Sequence, residues 1–592
     1  MSLTPGVILL FRLISCLSIF PVVLLSIGSM LQRTCEIHVS PSIYVLSAIF
    51  SILAYFTSRI LVEQRRVSRT ARRMGAILPP VWKGRSFGNL DVLKYRLTKF
   101  THGYPSDGHI EMTEKLGPTF AIQVMWKQHI GTSDPNVMKT ILVTDFSKFA
   151  KGNFFQDMMR GFLGDGIFNS DGEMWKFHRT IGRPFFTRDK IGQLDMFDQH
   201  SELAIRKMKE RFRDTHAVDI QDVTSRFTLD ASTEFLFGKS VNFLQDPLPY
   251  AWNVEGSSNS TTKTPAQSFA HALRSIQEVV ARRWRLQRLW PLFEIFEDKC
   301  KEHMKVLDSF VNPIVQEALS KIAMSRDPNA PKRSPSEELE TFVDYMAHNT
   351  SDHTLIHDET LNMLLAARDS TSATLTIAVY FLCMYPDVYK RLRQEVLSTV
   401  GPTRRPTAKD FRDMKYLRAV LDETMRLYPP VSSNVRNAIC DTTIPNSDPA
   451  GRPIFVPAGT SIVYSPLVMG RRKDYWGEDA EEFDPDRFLD ERKARYLDQT
   501  PWIFIPFNAG PRTCLGQTFA YHAMSFFLTQ LARTFANMQL APEAQPPESR
   551  PPADWSSASG RKGKERFFPK KHITLFSLGG LWVHMSEART HS

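Results

Sequence analysis

The sequence predicts a mainly α-helical fold with small β-sheets (an α+β class), preceded by N-terminal membrane-anchor helices. Apolar residues recur with helical periodicity from about residue 145 to residue 430. Two short runs, FAIQVMW at 120–126 and TILVTDF at 140–146, are rich in β-branched and aromatic residues and predict strands. Residues 13–31 form an apolar stretch with no charged residue, which indicates the anchor.

The anchor contains a second apolar stretch at 42–56, which extends to Leu61 if the side chain of Arg59 reaches the membrane interface. A bilayer-spanning helix needs about 20 apolar residues, so both stretches are candidates and the second is the weaker one. We therefore assign residues 1–61 to an anchor of one or two transmembrane helices. A cleaved signal peptide or a buried helix is the alternative, but no A-x-A cleavage site follows the first stretch.

Residues 62–80 are predicted to be a basic linker that ends at two prolines. The flank of the anchor contains arginines and no lysines, at positions 59, 65, 66, 69, 72 and 73. By the positive-inside rule such a flank stays in the cytosol, next to the anionic membrane surface. Residues 81–592 should then form one cytosolic domain.

The C-terminal part of that domain shows two further local patterns. Residues 541–564 are rich in proline and predict irregular structure. Gly579 and Gly580 separate two apolar runs, which predicts a terminal β-hairpin.

Charge, cysteine spacing and motif searches exclude several classes of protein. The net charge of +11 favours acidic partners or membrane head groups, and nucleic acid is the weaker interpretation because Lys and Arg do not concentrate in one module. The six cysteines form no CxxC pair, which argues against a disulfide scaffold and a structural zinc site. GRSFG at 84–88 matches the nucleophile elbow of hydrolases, but it follows a proline pair where that motif requires a strand.

The most informative segment is FNAGPRTCLG at 507–516, which places a lone cysteine, Cys514, in a glycine- and proline-containing loop ahead of a helix. The helix dipole and free backbone N–H groups there favour a thiolate. A thiolate in this position can be a nucleophile or a metal ligand. A nucleophilic cysteine requires a histidine base, and no spacing in the sequence points to one. An axial ligand of haem iron requires a single cysteine and close backbone approach.

This segment resembles the F-x-x-G-x-R-x-C-x-G signature of the cytochrome P450 superfamily, whose other landmarks follow in the expected order through nearly the whole cytosolic region. The resemblance implies the cytochrome P450 fold and a haem b whose iron is ligated by the thiolate of Cys514. It further implies that Phe507 packs against the sulfur, that Gly516 lets the backbone approach the haem, and that Arg512 faces a haem propionate.

Three more residues resemble haem-propionate contacts of the family. Trp175 and Arg179, in WKFHR, lie at positions i and i+4 of a predicted helix and therefore share one face. Arg436, in PPVSSNVRNA, matches a further propionate contact. Together with Arg512, they imply three arginines for two propionates.

A second set resembles the family's buried ionic cluster, which has a structural role. Glu423 and Arg426, in ETMR, lie at i and i+3 on one helix face, where opposite charges can pair. Arg487, in FDPDRF, stands where the family supplies the third member. The resemblance implies that these three residues hold the haem-binding loop in register.

The segment LNMLLAARDSTSATLTIAVYFLCMYP predicts a long buried helix that resembles the family's oxygen-binding helix. The family pattern is A/G-G-x-D/E-T-T/S, and this sequence reads AARDST at 366–371. Ala367 replaces the usual glycine, which changes the groove for dioxygen. Ser370 replaces the usual threonine, so that the hydroxyl is kept and the methyl that fixes its rotamer is lost. We expect Ser370 to donate to dioxygen, Asp369 to relay protons and Thr371 to complete the catalytic set, with looser coupling than usual.

The resemblance implies a membrane-anchored haem-thiolate monooxygenase that inserts one atom of O2 into a lipophilic substrate, on the endoplasmic reticulum membrane with the catalytic domain facing the cytosol. The sequence contains no flavin or nicotinamide fingerprint, so electrons are expected from a separate NADPH–cytochrome P450 reductase, with cytochrome b5 as a further candidate partner. Candidate docking residues on the domain are basic: Lys176, Arg471, Arg472 and Lys473.

For the substrate, the Arg-Asp pair in the oxygen helix, the two N-terminal apolar stretches and the C-terminal insertion resemble fungal members that oxidise alkanes, fatty acids and aromatic hydrocarbons. RRWRLQRLWPLFEIF at 282–296 lies where the family's access region dips toward the membrane. Three alternatives stay open: a sterol- or secondary-metabolite-oxidising member, a peroxide-using haem-thiolate isomerase or peroxygenase, and a non-catalytic haem- or sterol-binding protein.

Overall fold

A computed structural model describes residues 4–35, 40–186, 195–254, 263–325 and 341–588. Within these ranges the chain is mainly α-helical with small sheets, as predicted. The α-helices are α1 (Pro5–Cys35), α2 (Pro41–Arg73), α3 (Leu90–His102), α4 (Asp107–Leu116), α5 (Pro135–Lys139), α6 (Asn153–Leu163), α7 (Gly172–Gly182), α8 (Asp195–Arg213), α9 (Ile220–Phe237), α10 (Pro265–Leu286), α11 (Lys301–Ser325), α12 (Phe342–Asn349), α13 (His353–Met384), α14 (Pro386–Thr399), α15 (Ala408–Asp413), α16 (Lys415–Leu427), α17 (Pro466–Met469), α18 (Lys473–Trp476), α19 (Asp490–Lys493), α20 (Gln517–Thr534) and α21 (Arg561–Lys564).

The strands form one six-stranded sheet, one three-stranded sheet and two hairpins in the described part of the chain. They are β1 (Val81–Trp82), β2 (Thr119–Val124), β3 (Lys127–Thr132), β4 (Phe149–Ala150), β5 (Val218–Asp219), β6 (Asn434–Ala438), β7 (Thr442–Ile444), β8 (Ile454–Val456), β9 (Ser461–Tyr464), β10 (Phe535–Leu540), β11 (Pro569–Lys571), β12 (Leu575–Ser577) and β13 (Trp582–Glu587). The large sheet has the order β1-β2-β3-β9-β6-β4, the small sheet has the order β10-β13-β5, and the hairpins are β11-β12 and β7-β8.

Two predicted strand arrangements are wrong. Residues 140–144 of the run TILVTDF form a wide helical turn that continues α5, and the run packs through buried Ile141 and Leu142. The glycine pair Gly579-Gly580 does not close a hairpin, because β12 pairs with β11 whereas β13 pairs with β10 and β5. Both glycines have positive φ, which favours glycine, and they redirect the chain from one sheet to another.

The proline-rich segment 541–564 is ordered by packing rather than by regular structure. Its Trp555 is buried and lies edge-on against Tyr104 and Phe568, with ring centroids 5.4 and 4.9 Å away. Arg561, also buried, pairs with Glu565 at 2.7 Å. The insertion therefore joins the core instead of projecting from it.

The N-terminal helices form an antiparallel pair, and the second is longer than predicted. The rings of Phe20 in α1 and Tyr55 in α2 lie 5.3 Å apart. Helix α2 continues to Arg73, so most of the segment predicted as a linker from residue 62 is helical. Arg66 pairs with Asp441 at 2.7 Å, which connects the C-terminal part of α2 to the rest of the domain.

Helix α13 runs through the middle of the domain and packs against α9, α16 and α20. From residue 359 to residue 382 every position is buried except Ala366, Ala367, Asp369 and Ser370. Because the neighbouring turns are fully enclosed, this short partly exposed stretch faces a space inside the protein.

Candidate functional site

The loop ahead of α20 is held by its own backbone. Residues 510–512 form a 3₁₀ turn, and the amide of Cys514 donates to the carbonyl oxygen of Phe507 at 2.9 Å. Gly510 has φ of 68°, and a Cβ there would lie 2.1 Å from the carbonyl oxygen of Leu142. Only glycine fits this position, since any side chain would clash with backbone.

The side chain of Cys514 is accessible to solvent, even though many protein atoms surround it. Burial raises the pKa of the Cys514 thiol, and the amide of Gly516 and the cation of Arg179 oppose this shift only in part. This burial opposes the thiolate that the helix terminus favours, and a bound metal cation would favour the thiolate. A Cβ built on Gly516 meets no atom within 4 Å, so the backbone there borders open space.

A group of buried cations lies beside this loop. Arg512 donates to the Asp171 carboxylate at 2.8 Å and to the Ser170 carbonyl oxygen at 2.9 Å. Burial and the neighbouring charge of Arg436 lower the pKa of Arg512 to about 10. Arg179 donates to the Thr513 carbonyl oxygen at 2.5 Å. Among the described residues, this cluster therefore has more positive charge than Asp171, the carboxylate that Arg512 contacts, can balance.

Arg436 is the least satisfied member of this group. It is 1% exposed, and only its Nη1 donates, to its neighbour's carbonyl oxygen. Its Nε and Nη2 find no acceptor in the part of the chain that the structure describes. Buried donors of a charged group are costly when unpaired, so this position is suited to an anionic group that approaches from the internal space.

Lys151 is a fourth cation that sequence reasoning missed. Its Nζ donates to Asn434 Oδ1 at 2.8 Å, and its backbone amide donates to Asp171 Oδ1 at 2.8 Å. Burial, followed by the charges of Arg436 and Arg512, holds the pKa of Lys151 well below its usual range. No motif marks this lysine in the sequence, because Asn434, Arg436 and Arg512 lie more than 280 residues away and Asp171 lies 20 residues away.

The two predicted aromatic residues take different places. Trp175 is buried on α7, lies under the guanidinium of Arg512 at 4.6 Å and contacts Phe146. Phe507 lies 5.1 Å from the ring of Tyr521 and bonds the Cys514 amide through its backbone. Both therefore line the cysteine loop.

The three residues of the predicted ionic cluster lie together in the interior. Glu423 accepts from Arg426 Nε at 2.6 Å and lies 3.6 Å from Arg487 Nε, and all three side chains are fully buried. Arg426 further donates to carbonyl oxygens of Gly470 and Ala480. The cluster thus joins α16 to residues 470–487, the segment that precedes the cysteine loop.

The oxygen-helix residues point in different directions. Asp369 pairs with Arg368 at 3.0 Å and accepts from Gln277 Nε2 of α10 at 2.7 Å. Ser370 Oγ donates to the carbonyl oxygen of Ala366 at 2.7 Å. Thr371 is buried, and its hydroxyl has no partner among the described residues. Ser370 therefore supplies a hydroxyl group in the partly exposed stretch of α13. Asp369, in the same stretch, connects α13 to α10 through Gln277.

The described residues contain no group of three or more His, Cys, Asp or Glu side chains that could hold a bare metal ion. In the comparison with known families, residues 88–561 match the sequence model of the family described as Cytochrome P450. The chain belongs to the cytochrome P450 family. Members of this family are monooxygenases that bind haem through a cysteine thiolate.

Three curated relatives of this cytochrome P450 come from fungi. Cytochrome P450 52-E3 of Starmerella bombicola is 34% identical over 489 residues, which cover 80% of this chain and 88% of the relative. Cytochrome P450 52E1 of Candida apicola is 37% identical over 69% of this chain and 76% of the relative. Cytochrome P450 monooxygenase pvhE of Talaromyces variabilis is 36% identical over 71% and 76%, respectively.

The site suits the cofactor of the family. The accessible cysteine, the open space at Gly516 and the cations that outnumber their carboxylate are the features that a porphyrin with two propionates requires. The prediction of Arg471 as a docking residue is wrong, because Arg471 is buried and donates to Tyr104 Oη and the Leu427 carbonyl oxygen. Lys176 and Lys473 are exposed.

Proposed function

We propose that this cytochrome P450 is a membrane-anchored enzyme that hydroxylates a fatty acid, an alkane or an aromatic hydrocarbon, with the Cys514 thiolate as the axial ligand of the haem iron. The observation that carries the proposal is the position of Cys514: its side chain is exposed in the loop whose Arg512 lies beside Arg436, a buried cation with Nε and Nη2 unpartnered among the described residues. The partly exposed stretch of α13 would supply the opposite wall of the haem site.

Four residues would hold the haem propionates. Arg436 has two free donors, and Lys151, Arg512 and Arg179 lie in the same cluster. Each charge-assisted hydrogen bond to a propionate would satisfy a buried donor and reverse the lowering of the pKa values described above. Trp175 would position Arg512 by stacking under its guanidinium.

When bound, the haem supplies the oxygen chemistry that no amino-acid side chain can perform. The chain's own residues exclude water and move protons. We assign the Ser370 hydroxyl as the donor nearest the dioxygen site and the Asp369 carboxylate, held between Arg368 and Gln277, as the group that exchanges protons with it. Thr371 lies behind this pair as a further hydroxyl.

A lipophilic substrate would enter from the membrane. The turn after α10 carries exposed apolar side chains, and Phe296 is 94% exposed. The start of α1 lies against this turn, since the Gly6 amide donates to the Glu294 carbonyl oxygen at 3.2 Å. The anchor and the exposed aromatic residues therefore face the same side of the domain, as membrane contact requires.

Electrons would come from NADPH–cytochrome P450 reductase, with cytochrome b5 as a second donor, on the cytosolic face of the endoplasmic reticulum. Lys176 is exposed on α7, the helix whose Arg179 contacts the cysteine loop, and an acidic partner could dock there.

The test is reconstitution of the full-length protein with reductase, NADPH and a panel of alkanes, fatty acids and polycyclic aromatics. We expect product formation with matching oxygen consumption, and loss of the thiolate-type carbonyl spectrum in Cys514→Ala. Cys440→Ala, which removes an exposed cysteine, serves as the control and should keep the spectrum. Turnover with peroxide alone would favour the peroxygenase, and a normal spectrum in Cys514→Ala would refute the ligand assignment.

A further inference from the structure

The start of α1 docks on the turn after α10, which comprises residues 287–297. The Gly6 amide donates to the Glu294 carbonyl oxygen at 3.2 Å, and the Thr4 hydroxyl donates to the carbonyl oxygen of Ile295. Two successive carbonyl groups of the turn are thus bound by the segment that leads into the first membrane span.

Gly6 allows a closer contact with this turn than any other residue would. A Cβ built on Gly6 would lie 2.5 Å from the Ile295 Cα and 2.5 Å from the Pro291 carbonyl oxygen. Both are backbone atoms, so a side chain at position 6 could be accommodated only by separating α1 from the turn. The residue at position 6 therefore decides whether the docking can form.

The inner side of the turn is held by Arg283 at the end of α10. Arg283 is buried and donates to both carboxylate oxygens of Glu294, at 2.9 and 2.7 Å, and to Asp298 at 2.7 Å. A further bond reaches the Met158 carbonyl oxygen of α6 at 3.0 Å. The turn is therefore fixed to the domain by ion pairs and to α1 by hydrogen bonds between uncharged groups, which are the weaker of the two.

The outer surface of the turn is apolar around the docking point. Leu292, Phe293 and Phe296 are exposed, whereas Trp290 and Glu294 are buried. The membrane span of α1 begins at the same place, so lipid would cover these exposed side chains. A lipophilic molecule that leaves the bilayer beside α1 would therefore meet this turn first.

Helix α10 connects the turn with the partly exposed stretch of α13. Gln277 of α10 donates to Asp369 Oδ2 at 2.7 Å. It lies nine residues before Leu286, the last residue of α10, which corresponds to a rise of about 14 Å. The helix that borders the proton-relay carboxylate thus ends in the turn on which α1 docks.

We propose that Thr4 and Gly6 are positioning residues for substrate entry: by docking the start of α1 on the turn after α10, they hold this turn closed between the membrane and the substrate site. Separation of α1 from the turn opens the path. This opening breaks hydrogen bonds between uncharged groups and keeps the ion pairs of Arg283, so it costs little and recurs. The inference rests on the proposed function, in which a lipophilic substrate reaches the site from the bilayer.

Hydrogen exchange of the haem-loaded full-length protein in lipid discs measures the docking itself. We expect Gly6→Leu to raise the exchange rates of backbone amides in residues 287–297 about two- to tenfold, the range that corresponds to the loss of one hydrogen bond. Thr4→Ala adds no atoms and should act in the same direction, which tests the docking even if Gly6→Leu does not accumulate. Thr4→Ser keeps the hydroxyl and should match the wild type. Ser18→Leu, which adds a leucine at an exposed position of α1, is the matched control.

Binding kinetics measure the role of the docking in entry. The probe is 1-dodecylimidazole, a lipophilic ligand that coordinates haem iron and shifts its absorption spectrum without reductase. We expect Gly6→Leu to raise the association and dissociation rate constants about two- to tenfold each and to leave the dissociation constant within about twofold of wild type, because the docking obstructs the path without contacting the bound ligand. Ser18→Leu should bind the probe at wild-type rates.

Four results would overturn the proposal. Exchange in the turn after α10 that Gly6→Leu leaves unchanged refutes the docking in the membrane. Increased exchange with unchanged rate constants for 1-dodecylimidazole refutes the role of the docking in entry. A changed dissociation constant without matched changes in both rate constants assigns Gly6 to the stability of the binding site, and an equal effect of Ser18→Leu assigns it to membrane insertion.

Neither measurement depends on the reductase or on product formation. If reconstitution gives no product while exchange and binding rates respond to Gly6→Leu as expected, the positioning role stands and the hydroxylase assignment fails. If lipophilic substrates are hydroxylated but exchange and binding rates stay unchanged in Gly6→Leu and Thr4→Ala, the positioning role alone fails.

Discussion

At the scale of single residues, Ser370 lies in the partly exposed stretch of α13. Its hydroxyl donates to the Ala366 carbonyl oxygen, four residues earlier in α13. Serine lacks the methyl group that would restrict rotation about χ1, so the hydroxyl can leave this bond more freely than that of threonine. Proton delivery at this atom should therefore be less strictly ordered.

We expect Ser370→Ala to raise the peroxide released per NADPH consumed severalfold, because the donor nearest the dioxygen site is lost. The measurement is the ratio of peroxide to NADPH in the reconstituted system. Ser370→Thr retains the hydroxyl, adds the methyl group and should show a ratio equal to or below that of wild type. A ratio unchanged by the alanine substitution would remove the assigned role.

Residues that lie in a contiguous motif could be predicted from the sequence, and site residues outside any motif could not. Cys514 lies in a ten-residue pattern whose glycine at 510 has a visible steric reason. Lys151 and Asp171 lie in no such pattern, although Lys151 is one of the clustered cations and Asp171 is the carboxylate that they contact. Their role depends on contacts with Arg436 and Arg512, which the local sequence does not encode.

At the scale of elements, the ionic cluster connects α16 with the segment that leads to the cysteine loop. Both carboxylate oxygens of Glu423 are used, by Arg426 and by the amide of Asp484. Burial raises the pKa of Glu423, and the neighbouring arginines oppose this shift. Burying such a cluster costs free energy, and removing one of its charges costs more. We therefore expect the cluster to fix the register of the cysteine loop rather than to add stability.

Glu423→Gln should destabilise the protein by about 3–5 kcal/mol, because Arg426 would remain buried without a counter-ion among the described residues, whereas Arg487 would keep its ion pair with Asp479. The measurement is the denaturant midpoint together with the haem content of the purified variant. Glu478→Gln removes an exposed carboxylate that pairs with Lys473 and should cost less than about 1 kcal/mol. Equal stability of the two variants would contradict the structural role.

Strand predictions failed where an element's environment outweighed its composition. The run TILVTDF has the residues of a strand, but Ile141 and Leu142 are buried as part of a helical turn in a cluster with Val137. β-propensity describes a fit to a pleated half-buried surface, whereas these two side chains are buried together with Val137 in an apolar cluster. The segment 541–564 is likewise ordered by contacts such as Trp555 with Tyr104, which composition does not reveal.

At the scale of the whole molecule, the arrangement of α1 and α2 decides how the enzyme meets the membrane. Both helices are long and apolar enough to cross a bilayer. They are antiparallel, and the start of α1 contacts the catalytic domain at Glu294. Two spans therefore return the chain to its starting side, and the arginines at the end of α2 favour the cytosol for that side.

We expect the N-terminus of the membrane-bound enzyme to be cytosolic. An epitope tag fused to Met1 should be removed by protease added to intact microsomes, whereas a lumenal marker protein should stay protected. An N-glycosylation sequon fused to the N-terminus should likewise stay unmodified. Glycosylation of that N-terminal sequon would show a single span and contradict the paired arrangement.

The sequence by itself determined the apolar anchor, the long buried helix and the cysteine loop. Each of these depends on residues close together in the chain, whose spacing fixes helical periodicity, turn geometry or a helix start. Only the tertiary structure decided that Lys151 lies beside Arg436 and Arg512 and that β13 pairs with β10. These contacts join segments that are distant in the sequence, and they form when the folded core brings those segments together rather than through any local pattern.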